Sequence, residues 1–113
     1  MNMQEWVLKY EAKAEPFALE DGFQLFLDES KGFLCWKVVD DVLYIDHTST
    51  DDQAWMHEKI RELGKEHGCR MALTYTFRDP RAYVRLTGAH VDLSESRWMR
   101  NGRFYWAFTE DLG

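Results

Sequence analysis

Asp46 and His47 are adjacent, and His57 follows ten residues later, so this stretch holds the acid and imidazole groups best suited to move protons near neutral pH. An aspartate beside a histidine tunes imidazole basicity, which makes Asp46 and His47 candidates for a general base. No serine or cysteine sits in a recognisable nucleophile motif, so the same group reads first as an ordinary loop at the start of a helix, and as a base second. The two cysteines, Cys35 and Cys69, lack CxxC spacing. They read as small buried hydrophobes in a reducing compartment. His57 and His67 lie ten residues apart and miss the i, i+4 spacing of a zinc helix, so no metal is expected.

The elements that would position these groups follow from patterning. Trp6, Val7, Leu8 and Tyr10 fit either an irregular strand or one turn of helix, and residues 16–22, with Pro16 first and Gly22 last, predict a short helical turn. Phe23, Leu25 and Leu27 alternate with Gln24 and Asp28 as a strand with one buried face. A turn at residues 30–32, a second strand at 33–39, a turn at Asp40 and Asp41 and a third strand at 42–46 complete an antiparallel meander. Met56, Ile60, Leu63 and His67 then form one helical stripe. That helix is expected to start at Ser49 or Thr50, with Asp52 or Gln53 as capping-box partner, and to stop at Gly68. Residues 70–77 predict a fourth strand, Asp79 and Pro80 open a second, shorter helix that Gly88 closes, and strands at 91–99 and 103–109 flank Arg100-Asn101-Gly102 as a hairpin. Joining strands three and four through a helix requires them to run parallel in an otherwise antiparallel sheet. The predicted class is α/β (α+β): one domain, one long and one short helix, a mixed sheet and a carboxyl-terminal hairpin.

That order, with Asp79-Pro80-Arg81-Ala82-Tyr83-Val84-Arg85-Leu86-Thr87-Gly88-Ala89 as its last helix, resembles the GNAT (N-acetyltransferase) superfamily from about Val42 to Thr109. Residues 97–106 look especially like the terminal hairpin of small GNAT-like proteins of tailed bacteriophages. The resemblance implies an acetyl-CoA pyrophosphate seated on a Gly-rich turn at the start of the long helix. The matching residues, 47–54, contain no glycine and place Asp51 and Asp52 where the anion would sit. If CoA binds, the resemblance assigns it Ile45, His47, Ser49, Thr50 and Gln53. The family's general-acid tyrosine would stand four residues before Gly88, where this chain has Val84; Tyr83 beside it serves if the helix register slips.

The 113 residues suffice for one compact core, no apolar run reaches bilayer length, and the amino terminus lacks a signal-peptide pattern, which favours a cytoplasmic protein, in the host cytoplasm or the virion if phage-encoded. A net charge of −6 opposes broad attraction to nucleic acid or anionic membrane, although Arg97, Arg100 and Arg103 gather late in the chain. Trp, Tyr and Arg favour binding hot spots, so Trp98, Arg100, Arg103 and Tyr105 form a candidate protein-contact surface. The leading expectation is a GNAT-like, phage-type protein without the usual CoA loop that binds another protein, virion-associated or host-factor-directed, or itself as a homo-oligomer, with no cofactor. Its alternative is an acyl-CoA-dependent N-acetyltransferase with an atypical donor site, using Tyr83 or an Asp46/His47 base. A nucleic-acid-binding accessory protein using the hairpin arginines is a third class.

Overall fold

The computed structural model describes residues 1–14, 16–76, 81, 90–98 and 104–112. The elements run α1 (Met3–Glu11), β1 (Gln24–Asp28), β2 (Gly32–Val39), β3 (Val42–Thr50), α2 (Gln53–Glu66), β4 (Met71–Thr76), β5 (His90–Trp98) and β6 (Phe104–Asp111). They form one six-stranded sheet in the order β1-β2-β3-β4-β6-β5. β3 and β4 pair in parallel, as the crossover argument requires, and the neighbouring pairs are antiparallel. Among the described residues no helix is long and apolar enough to cross a membrane.

The first residues resolve the open alternative as helix. Asn2 accepts from the Glu5 amide at 2.9 Å and Glu5 accepts from the Asn2 amide at 3.1 Å, a capping box that satisfies amides otherwise left without partners. Residues 16–22 do not form the expected helical turn; the Phe23 amide instead closes a turn on the Glu20 carbonyl at 3.1 Å, with Gly22 at φ +82°. A single isolated helical turn makes too few hydrogen bonds to offset its own nucleation cost. The boundary between β3 and α2 is corrected as well. Residues 47–50 are strand rather than loop, because Thr48 and Ser49 pair with Leu34 and Phe33 of β2. The N-cap of α2 is Asp52, not Ser49 or Thr50.

The sheet has a helix on each face. Alternation along β2 sends Leu34 and Trp36 toward α2, where they pack with Leu43, Ile45, Met56, Ile60 and Leu63. Phe33 and Cys35 point the other way, into a cluster with Trp6 of α1 and, around them, Val7, Tyr10, Phe17 and Phe23. Trp6 anchors α1 by burying its ring to 2% exposure and donating its indole N–H to the Glu29 carbonyl at 3.0 Å. Gly32, at φ +140°, opens β2 where a Cβ would lie 1.9 Å from the Ser49 carbonyl oxygen, so β2 and β3 approach closely there only because this residue has no side chain.

Candidate functional site at the bulge of β3

β3 and β4 stay paired only from Val42↔Met71 to Tyr44↔Leu73. Beyond that point β3 continues with β2 and β4 continues with β6, so the two parallel strands part at the middle of the sheet. β3 bulges just past the parting. Trp36 faces Ile45 while Leu34 faces Thr48, so Asp46 and His47 together stand opposite the single residue Cys35. The extra residue reverses the alternation. Leu43 and Ile45 belong to the α2-side core, whereas His47 and Ser49, still on odd positions, turn to the α1 side where Phe33 lies.

His47 is 5% exposed. Its ring meets Tyr10 edge-on at 5.2 Å and Phe17 at 5.6 Å between centroids, and its Nδ1 is hydrogen-bonded to the Tyr10 hydroxyl. Tyr10 and Phe17 pack in turn on Phe33 at 6.1 and 5.2 Å. With Nδ1 committed to Tyr10, Nε2 is directed at two carboxylates: Asp46 Oδ2 at 3.4 Å and Glu20 Oε1 at 3.9 Å. Asp46 is 30% exposed and Glu20 59%, so the cluster has a buried imidazole and an open acidic rim. Burial pushes the Cys35 thiol up to about 12, with the Asp46 charge adding to the effect, so Cys35 stays a protonated thiol and is no nucleophile.

The start of α2 is closed by its own side chains. Asp52 Oδ1 accepts from the Trp55 amide at 3.0 Å, and Lys31 Nζ reaches Asp52 Oδ2 at 3.1 Å. The Trp55 amide, followed by Lys31, holds the Asp52 carboxyl below its ordinary range, so it is ionised at neutral pH. The Thr50 hydroxyl donates to the Lys31 carbonyl at 2.7 Å and accepts from the Asp52 amide at 2.9 Å. Asp51 is ion-paired with Lys9 of α1.

Of the residues assigned to CoA by resemblance, Ile45 is buried against α2, His47 and Ser49 face α1, Thr50 is tied into the cap and Gln53 is exposed. They do not share one surface. Asp46 and His47 do come together, but His57 does not join them. It lies on α2 with Nε2 at 2.7 and 2.8 Å from the Glu110 carboxylate oxygens, which Arg61 also engages at 2.7 Å. Tyr105 is 5% exposed, which corrects its assignment to a protein-contact surface: its side of β6 is turned inward. Trp98 is on β5, and Tyr83, Arg100 and Arg103 lie outside the described residues, as does most of the predicted second helix. Sequence reasoning missed Tyr10 and Glu20. The Asn2/Glu5 capping box would have placed Tyr10 on a helix; nothing local marks Glu20.

No protein-family model matches the chain, and no curated protein matches it by sequence. Solved structures do match in three dimensions. A Bacillus subtilis acetyltransferase in complex with CoA superposes with a TM-score of 0.67 at 9% identity, over 100% of this chain and 95% of that one. The ribosomal-protein-S18-alanine N-acetyltransferase of Escherichia coli gives 0.67 at 11% identity, over 98% and 88%. A Desulfovibrio desulfuricans protein assigned to the GNAT family of acetyltransferases gives 0.59 at 9% identity, over 81% and 70%. The chain therefore has the GNAT fold. Since one structure of this fold is a complex with CoA, the expectation that no cofactor binds has no support.

Proposed function

We propose that the chain is an N-acyltransferase that takes an acetyl group from a CoA thioester and places it on a primary amine, the alternative set out from the sequence. The observation that carries this reading is the placement of the Asp46-His47 bulge at the point where parallel β3 and β4 part, within a fold shared with acetyltransferases. A bound donor would supply the activated acyl group. The start of α2 does not fit a diphosphate as it stands, because the Asp52 carboxylate already accepts from the helix amides and Asp51 adds a second negative charge. The donor site is accordingly atypical, and no step is derived through it.

The acceptor side follows from the chain's own groups. An amine arrives as ammonium, with up to three N–H donors and a positive charge, and Asp46, Glu20 and His47 Nε2 present three acceptors converging on one place. The carboxylates attract the cation. For attack the amine must lose a proton; in this reading His47 Nε2 receives it, while Tyr10 holds the other ring nitrogen and the Asp46 charge favours the resulting imidazolium. Thiol release from acetyl-CoA in the presence of a panel of primary amines tests the reading. His47→Ala should lower kcat by about 10²–10⁴-fold, the usual scale of general-base catalysis, while the far-ultraviolet spectrum is unchanged. Equal turnover in a folded His47→Ala protein would reject the assignment.

A second reading, a GNAT fold used for protein binding, virion-associated or host-factor-directed, is favoured by one observation: the capped start of α2. Calorimetry with acetyl-CoA separates the two. Saturable micromolar binding removes the second reading, and its absence, with no turnover on any amine, removes the first.

A further inference from the structure

We propose that Glu20, Asp46 and His47 form a site for a divalent transition-metal ion. The three donor atoms, Glu20 Oε1, Asp46 Oδ2 and His47 Nε2, lie within 4.8 Å of one another. The two separations from Nε2, 3.4 Å to Asp46 and 3.9 Å to Glu20, are longer than the usual ~2.7–3.2 Å of a direct N–H···O hydrogen bond. The shorter of them equals the spacing of two ligands on one small cation, and the longer is within half an ångström of it. Ligands at about 2.0–2.2 Å from a tetrahedral zinc stand about 3.4 Å apart, and the ion would neutralise the two carboxylates that now face the same nitrogen. One imidazole and two carboxylate oxygens suit zinc, manganese or cobalt, and lack the thiolates that select soft ions.

A second, independent feature points the same way. The His47 ring is buried and hydrogen-bonded to the Tyr10 hydroxyl at Nδ1, the kind of outer hydrogen bond that fixes the orientation of a metal-binding imidazole, and it turns Nε2 toward the two carboxylates. The bulge brings Asp46 to the same side as His47, and the turn before β1 brings Glu20; water from the open rim completes the coordination. As far as it concerns regulation, the inference rests on the acyltransferase reading: an ion on Nε2 occupies the lone pair that would take the acceptor's proton and the carboxylates that would attract its ammonium. Metal and amine therefore compete.

Calorimetry with zinc chloride, on the intact chain stripped with chelator, is the test. The expected result is saturable binding of one ion, weakened at least tenfold by His47→Ala and by Glu20→Gln, about 10–100-fold by Tyr10→Phe as for other outer-shell partners, and unchanged by His57→Ala. Glu20 is exposed, so Glu20→Gln keeps the test valid if His47→Ala fails to fold. Absence of saturable zinc binding, or binding that survives both Glu20→Gln and His47→Ala, overturns the site. These outcomes need no catalysis, so a chain that binds zinc but transfers no acetyl group retains the metal site and loses the acyltransferase reading. Where transfer is observed, zinc should raise the apparent KM for the amine and leave kcat unchanged; inhibition not relieved by amine overturns the competition.

Discussion

β3 meets two different environments along its nine residues. Its first half, through Leu43 and Ile45, packs against α2 among Leu34, Met56, Ile60 and Leu63, an apolar layer that asks nothing of its neighbours but volume. Its second half, through His47 and Ser49, is buried against α1 among Tyr10, Phe17 and Phe33, with Asp46 and Glu20 at the rim. Burial is similar on the two sides, but the α1 side spends part of it on polar groups whose orientation is fixed by specific partners. A buried imidazole contributes less to stability than a methyl-rich side chain of the same size, and offers chemistry that the apolar side cannot.

The comparison breaks first where each side is deepest. Leu43→Ala should destabilise by about 2–5 kcal/mol and Phe33→Ala by about 3–5 kcal/mol, by urea denaturation, since both are fully buried. If Phe33→Ala cost under about 1 kcal/mol, the α1 side would not be a true core. Gly32→Ala comes next, at about 1–3 kcal/mol from its positive φ alone, with the contact at the Ser49 carbonyl adding to it. Tyr10→Phe, which removes only the hydroxyl on His47, should cost about 1 kcal/mol in the same measurement, a small effect that sets positioning apart from packing.

Two titration effects are smaller still. The Cys35 thiol, pushed up to about 12, should resist a thiol-specific reagent at pH 8 in the native protein and react on unfolding. Its contribution is present below the ordinary thiol value of 9.0 and is lost as pH rises from there toward 12, because the unfolded thiol ionises first. Asp52 acts on the acid side. Its carboxyl is held below its ordinary value, so its contribution is present above that value and disappears as pH falls through the folded one. Asp52→Asn should therefore flatten the acid limb of the stability curve, and an unaltered limb would mean the cap does not hold α2.

Much of the fold was legible. The stripe at Met56, Ile60 and Leu63 and the need for a parallel crossover gave the long helix and the β3–β4 pairing, because helix and strand periods are local properties of the chain; alternation at Leu25 and Leu27 gave β1 as a strand but not its buried face, since Leu25 is exposed and Phe26 packs on the core. The same local logic placed the end of β3 wrongly. Thr48, Ser49 and Thr50 look like a capping segment, and only pairing with β2 makes them strand. Tyr105 was misjudged for a related reason: composition says that a tyrosine suits an interface, but the face it occupies is set by the register of β6.

The site was half legible. Asp46 and His47 announce themselves by type and adjacency, but their direction depends on a one-residue register offset between two strands, which no residue in either strand encodes alone. Tyr10 stands 37 residues before its histidine partner, and Glu20 approaches the other ring nitrogen from the turn ahead of β1. The absence of metal inferred from the spacing of His57 and His67 tested only neighbours along a helix. By itself the sequence determined which residues alternate, which segments coil and which groups can carry a proton, since these depend on side-chain chemistry and on spacing within a few residues. Only the tertiary structure decided which of those groups meet, because that depends on how strands distant in sequence align, and one extra residue at Asp46-His47 turns the strand's polar half to the opposite face.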